Sequence, residues 1–115
     1  FSILPGSELK LLSGLKIGCS GIITATCNVT AKLSRKVYDD FFNNKPQTVN
    51  DKLCEVRKTF DQFDLISGLH SFLKAKNTDF ANVLPTLSLL DQADEKILFN
   101  NLKELEFSED TNAAA

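Results

Sequence analysis

The stretch that decides the fold is "GCSGIITATCNVTAKL", residues 18–33. Its core, "GIITAT" at residues 21–26, is apolar and β-branched with little alternation. That is the pattern of a strand buried on both faces, as in a parallel sheet. From Asn28 onward the period changes. Val29, Leu33, Val37 and Phe41 recur every four residues, which places them on one face of a helix. Upstream, "FSILP" is a short apolar run stopped by Pro5 and Gly6, and it reads as a strand over residues 1–4 entering a loop. Ser7 then stands where a helix N-cap is expected. Leu11, Leu12 and Leu15 fall at helical spacing, and Gly18 follows Ile17 where a left-handed glycine would close the helix. Residues 1–25 thus spell strand, loop, helix, strand, which is one tight βαβ crossover.

The remainder reads as helical. "NNKP" breaks the helix after Phe42. Val49, Leu53, Val56, Phe60 and Phe63 form a 4-3-4-3 apolar stripe with charges elsewhere. Leu65, Ile66, Leu69, Phe72 and Leu73 continue it to about Lys74, with Gly68 as a candidate bend. "AKNTDFANVLPTLSLL" lacks a period and reads as a loop lying over the core. Asp91 is a candidate N-cap, with Asp94 and Glu95 in a first turn that favours acids. Ile97, Leu98, Leu102 and Leu105 are expected on the inner face of the last helix. Two parallel strands that are apolar on both faces need neighbours, and this pattern supplies none.

The bulk numbers bound the function classes. A chain of 115 residues is one domain's worth, and 43% hydrophobic with 24% charged residues is ordinary globular composition. The net charge of −2 argues against non-specific binding to nucleic acid or to acidic membranes, which needs a basic face. No run approaches the roughly 18 apolar residues of a membrane helix. Cys19, Cys27 and Cys54 match no zinc or redox spacing, so free thiols and a cytoplasmic location are expected. The chain starts at Phe1 and has no methionine, which leads to the expectation of a fragment, with residues 108–115 as a tail.

At "LPGSELKLLSGLKIGCSGIITATCNV", residues 4–29, the sequence resembles the dihydrodipicolinate synthase and N-acetylneuraminate lyase family of class I pyruvate-dependent aldolases. Late in that family a strand ends in a glycine and one or two acids. A short helix and a glycine-rich turn follow, and then a strand of the type G-hydrophobic-I-S-hydrophobic-T-A-N-V. Residues 21–29 follow that pattern without a gap from Gly6. The resemblance runs to about residue 107, and the later helices are similar to the last barrel helix and the C-terminal extension of the family. The implied fold is α/β: the last two strands of a (β/α)8 barrel of roughly 250 residues, followed by a helical subdomain. Residues 1–45 would close the barrel and residues 46–107 would form the extension.

The implied chemistry is a Schiff base between a lysine amine and pyruvate or another 2-keto acid, which then joins to or parts from an aldehyde. In the family the lysine, a proton-relaying tyrosine and a carboxylate-binding G-T-T type loop come from earlier strands. None can be matched here, so no residue of this chain is assigned a catalytic role. What the resemblance carries over is a substrate-binding set of Gly6, Ser7, Glu8 and Ile23. Gly6 matches the glycine that leaves room for substrate, Ser7 and Glu8 match the neighbouring loop, and Ile23 matches a residue whose backbone lies near the lysine. Each has a plainer reading beside it: Gly6 as a turn residue, Glu8 as a solvated first-turn acid, and Ile23 as core. Leu9 stands where sugar-acid-cleaving members carry a second acid. "DLISGLHSF", residues 64–72, replaces the N-P-I-P-V-K motif of many lysine-pathway members. The expectation is therefore a dihydrodipicolinate synthase-like lyase or aldolase, with another keto-acid aldolase or lyase left open beside dihydrodipicolinate synthase proper. No cofactor and no metal is expected. The implied partners are a small keto acid and an aldehyde, the missing N-terminal part of the barrel, and further copies in a dimer or tetramer.

Tyr38 and His70 are expected at the surface or between helices, and Asp39, Asp40, Asp61 and Asp64 on solvated helix faces. The alternative reading is a stand-alone helical interaction module with no catalysis, whose stripe from Val49 to Phe63 binds a partner.

Overall fold

The computed structural model describes residues 1–108, so residues 109–115 of the expected tail lie outside the described residues. A 3-10 turn, Glu8–Lys10, leads into helix α1, Leu11–Lys16. Four longer helices follow: α2, Cys27–Phe42; α3, Asn50–Asp61; α4, Leu65–Leu73; and α5, Gln92–Glu104. A second 3-10 turn, Thr78–Ala81, lies between α4 and α5.

The caps explain where these elements begin and end. Ser7 accepts a hydrogen bond from the Leu9 N–H, as an N-cap should. Asp91 caps α5 by accepting from the Asp94 N–H at 2.8 Å. Asp64, exposed as expected, caps α4 by accepting from the Ser67 N–H at 2.9 Å. Three helices close with the same paired reversal. After α1, Gly18 at φ +96° lets the Cys19 N–H reach back to the Gly14 carbonyl at 2.9 Å. After α2, Asn44 at φ +55° sends the Lys45 N–H to the Asp40 carbonyl at 2.8 Å. After α5, Glu106 at φ +54° sends the Phe107 N–H to the Leu102 carbonyl at 3.0 Å. This is the Schellman arrangement, in which the apolar residue beyond the cap folds back on the helix. Phe107 is accordingly buried.

The expected strands are a correction. Among the described residues no strand forms. Residues 1–5 and 20–23 do run side by side in the same direction. The Ser20 N–H donates to the Ile3 carbonyl at 2.9 Å and the Ile23 N–H donates to the Pro5 carbonyl at 3.1 Å. Between those bonds one segment advances two residues and the other three. Gly21, at φ +151°, takes up the extra one. The pairing is thus two bonds long with a slip inside it, too little for a ladder, and no third segment extends it. The second segment also ends earlier than residue 26, because Thr24 and Thr26 turn into the start of α2.

One hydrophobic core takes in Leu15 of α1, Val37 of α2, Phe60 of α3, Leu69 of α4 and Leu98 of α5. It crosses the boundary expected at residue 45, since α2 and α3 pack on each other. The stripe on α3 is part of it: Leu53, Val56 and Phe60 are fully buried. That stripe is therefore not a free face for a partner. Gly68 does not interrupt α4. A Cβ there would stand 3.5 Å from the Phe60 ring, so the glycine lets α4 lie close to α3.

Three other expectations are corrected. Ile97 is 48% exposed; a helix turns about 100° per residue, and Leu98 and Leu102 take the inner face. The loop over residues 75–90 does not blanket the core. Leu84 is 81% exposed, while Leu90 at its end packs inward. Asp40 is buried rather than solvated and pairs with Lys36 at 2.9 Å. No helix among the described residues is long and apolar enough to cross a membrane.

Candidate functional site

The ends of the two paired segments meet a buried charge. After Pro5 and Gly6 the chain turns, Ser7 caps the 3-10 turn, and Glu8 points inward with no exposed surface. A bare carboxylate there would be costly. Its oxygens are satisfied from three directions. Oε1 accepts from the Thr24 hydroxyl at 2.9 Å and from the Thr30 hydroxyl at 2.8 Å. Oε2 accepts from an Arg57 guanidinium N–H at 2.8 Å. Arg57 reaches in from α3 and also donates to the Thr26 hydroxyl oxygen at 3.2 Å and to Asp61 at 2.9 Å. The Thr24 and Thr26 hydroxyl oxygens are 2.7 Å apart. With the Thr24 proton committed to Glu8, Thr26 must donate to Thr24. The protons therefore run in one direction, from Arg57 through Thr26 and Thr24 to Glu8.

The sequence patterning explains the geometry. Thr26 and Thr30 are one helical turn apart, so both line the inner side of the start of α2. Arg57 sits between the core residues Val56 and Phe60 and is mostly covered, with 13% of its side chain exposed. Burial pushes the Glu8 carboxyl up, but the threonine hydroxyls, Arg57 and its own backbone N–H outweigh that and hold it below the ordinary value of 4.5. Burial likewise works against the Arg57 charge, and its hydrogen bonds to the Glu8 and Asp61 carboxylates more than restore it. Both groups are charged at neutral pH. The cluster can hold two chain turns together, but it offers no group ready to exchange a proton there.

A pH dependence follows. Because the folded pKa of Glu8 is depressed, its contribution to stability is present above 4.5 and is lost as pH falls through the folded value. Thermal melts between about pH 6 and pH 3 should show stability dropping with acid. Glu8→Gln should be less stable at pH 6 and should flatten that slope. An unchanged slope in Glu8→Gln would show that other carboxylates set the acid limb.

The four residues expected at a substrate site are brought together. The Pro5 carbonyl accepts from the Ile23 N–H, and a Cβ on Gly6 would stand 3.8 Å from the Ile23 carbonyl oxygen. Ser7 follows as the cap. Glu8 is not the solvated acid of the plainer reading; it is sealed in the cluster. Ile23 is not core, because 69% of it is exposed. Its neighbour Ile22 packs inward instead, and nothing described covers the outer side. Gly6 needs neither a positive φ nor packing room within this chain. The sequence reading missed Arg57, Thr24, Thr26 and Thr30. Thr24 and Thr26 fall in the pattern that reads as a strand, Thr30 stands between the apolar positions of a helix, and Arg57 carries no local signal.

The remaining candidates sit elsewhere. His70 Nδ1 is 2.8 Å from the Phe80 carbonyl oxygen and pins the Thr78–Ala81 turn onto α4. Tyr38 is half-buried, with the Arg35 guanidinium 5.1 Å from its ring centre. The three cysteines are free and half-buried. Among the described residues no group of three or more His, Cys, Asp or Glu side chains is placed to hold a metal ion. An apolar cleft of about 500 Å³ opens among Phe72, Phe99, Leu102 and Phe107, and it shares no residue with the Glu8 cluster.

Comparison with known proteins gives this geometry a context. The model of the dihydrodipicolinate synthetase family matches residues 1–104. Two uncharacterized DapA-like lyases, from two strains of Halobacterium salinarum, are each 26% identical over 107 residues. The match takes in 90% of this chain and 35% of each relative. The chain thus spans about a third of the length of the curated relatives it matches. No solved structure matches it.

Proposed function

The chain belongs to the dihydrodipicolinate synthetase family, and on that footing we propose that it is the C-terminal part of a lyase that handles pyruvate or a related 2-keto acid through a Schiff base. The observation that carries the reading is the pair of parallel segments at residues 1–5 and 20–23. They are joined by α1, and among the described residues their outer edges are unpaired. Ile3, Leu4 and Ile23 lie exposed along them. A two-strand piece with bare edges and apolar side chains is what two neighbouring strands of a larger parallel sheet leave when taken by themselves. On this reading they are the last two strands of a (β/α)8 barrel, whose active site lies at the C-terminal ends of the strands. Gly6 and Ile23 are at those ends. The absence of any demand for glycine at residue 6 within this chain supports a role in leaving space for substrate, with the Ser7 turn and the Ile23 backbone beside it. Glu8 belongs to the same loop but acts through its partners.

The reactive lysine belongs outside this chain. Condensation requires a neutral amine attacking the keto carbon and expelling water, which a desolvated pocket favours. None of the lysines here is buried. The aldehyde partner and the packing of copies into a dimer or tetramer belong to the whole protein as well.

Reductive trapping tests the reading. Full-length protein treated with pyruvate and borohydride should gain one reduced pyruvyl group on a lysine outside residues 1–115. A label on one of this chain's own lysines, or no label with pyruvate or any other 2-keto acid, would overturn the proposal.

A further inference from the structure

We propose that Arg57 is a positioning residue that reaches from the C-terminal helices into the catalytic face and fixes two of its loops at once; the inference rests on the lyase reading for what those loops do. The geometry is specific. One guanidinium nitrogen bonds both Glu8, just after the first extended segment, and Thr26, just after the second. The other contact of Arg57, with Asp61 one turn further along α3, braces the side chain from behind. Glu8 in turn accepts from Thr24 and Thr30, so the two turns share a single carboxylate. The Cys27 N–H completes the second turn by donating to the Thr24 hydroxyl oxygen at 3.3 Å. No backbone bond joins the turn at residues 6–8 to that at residues 24–27. Besides the core packing of Leu11, Ile22 and Ala25, their relative placement rests on this cluster and on the two bonds between the segments.

A structural ion pair would affect only the melting temperature. A positioning residue should also change how substrate is held, because catalytic geometry tolerates little displacement. In the full-length protein, Arg57→Met is expected to raise the pyruvate concentration that gives half-maximal borohydride trapping by about 10- to 100-fold. The measurement is made well below the melting point of the variant, with its circular dichroism spectrum unchanged. Arg57→Lys, which keeps the charge and one contact, should recover part of that loss. Iodoacetamide should alkylate Cys27 several-fold faster in Arg57→Met while the rate at Cys19 stays put, since Cys19 lies in the reversal after α1. If Arg57→Met does not fold, the double variant Glu8→Gln/Arg57→Met removes the stranded charge and serves in its place.

Wild-type half-saturation together with a wild-type Cys27 rate in a folded variant would overturn the proposal. A wild-type protein that pyruvate and borohydride leave unlabelled would instead remove the lyase reading. The Cys27 rate alone would then decide whether Arg57 fixes the turns, with a rise supporting it and no change refuting it.

Discussion

Arg57→Met is expected to destabilise the folded chain by about 3–5 kcal/mol, the cost of breaking a buried ion pair from one side. Most of that cost comes from Glu8 rather than from the lost attraction. Glu8 has no exposed surface, so without the guanidinium its charge keeps the hydroxyls of Thr24 and Thr30 and its own backbone N–H, none of them a cation. Either it stays charged in a dry site or it takes up a proton, and both options cost free energy at neutral pH. The loss should be read from urea unfolding at pH 7 as a lower midpoint with an unchanged slope. Adding Glu8→Gln to Arg57→Met should restore a substantial part, because no charge is then left unpaired. A single variant within about 0.5 kcal/mol of wild type, the range of an ordinary surface substitution, would mean that water reaches Glu8 and the cluster is not closed.

Phe60→Ala should cost about 3–5 kcal/mol as well, for a different reason. Phe60 is fully buried on α3. It meets the Phe72 ring edge-on with centroids 5.8 Å apart, and Gly68, one turn earlier on α4, also lies close to it. Removing the ring leaves a hole between α3 and α4 that neither rigid helix can easily close. Phe42, at the end of α2, is a control of the same chemistry. It is 55% exposed, and its ring contacts are with Tyr38 and Phe41 of its own helix, so Phe42→Ala should cost much less. Equal losses at the two positions in urea unfolding would contradict the assignment of the core.

What could be read from the sequence was the part governed by local period and local caps. Val29, Leu33 and Val37 announced α2, and Leu53, Val56 and Phe60 announced α3, because apolar spacing at 3.6 residues per turn is fixed by the helix itself. Ser7, Gly18 and Asp91 were legible as caps for the same reason: their partners lie within three residues. Glu106 was not, since an acid in the left-handed region has no propensity behind it. It is held there by the burial of Phe107, a consequence of tertiary packing. The strand expected at residues 21–26 failed because β-branched composition describes a surface that fits between neighbours, and this chain supplies only one neighbour, out of register by a residue. Gly6, Ser7, Glu8 and Ile23, singled out by resemblance alone, lie close together because the first three adjoin one turn and Ile23 pairs with Pro5 just before it. Arg57 was not found, because its partner Glu8 is 49 residues away and pairing at that separation leaves no trace in either local pattern.

The most direct test of the central claim is amide exchange along the outer edges of the two extended segments, compared between the 115-residue chain and the full-length protein. If the segments are inner strands of a barrel, the amides of residues 2–4 and 21–24 that are unbonded in this chain should exchange fast in it and slowly in the full-length protein. Fast exchange at those edges in both would contradict the barrel reading and leave the chain as a helical domain with two exposed extended segments.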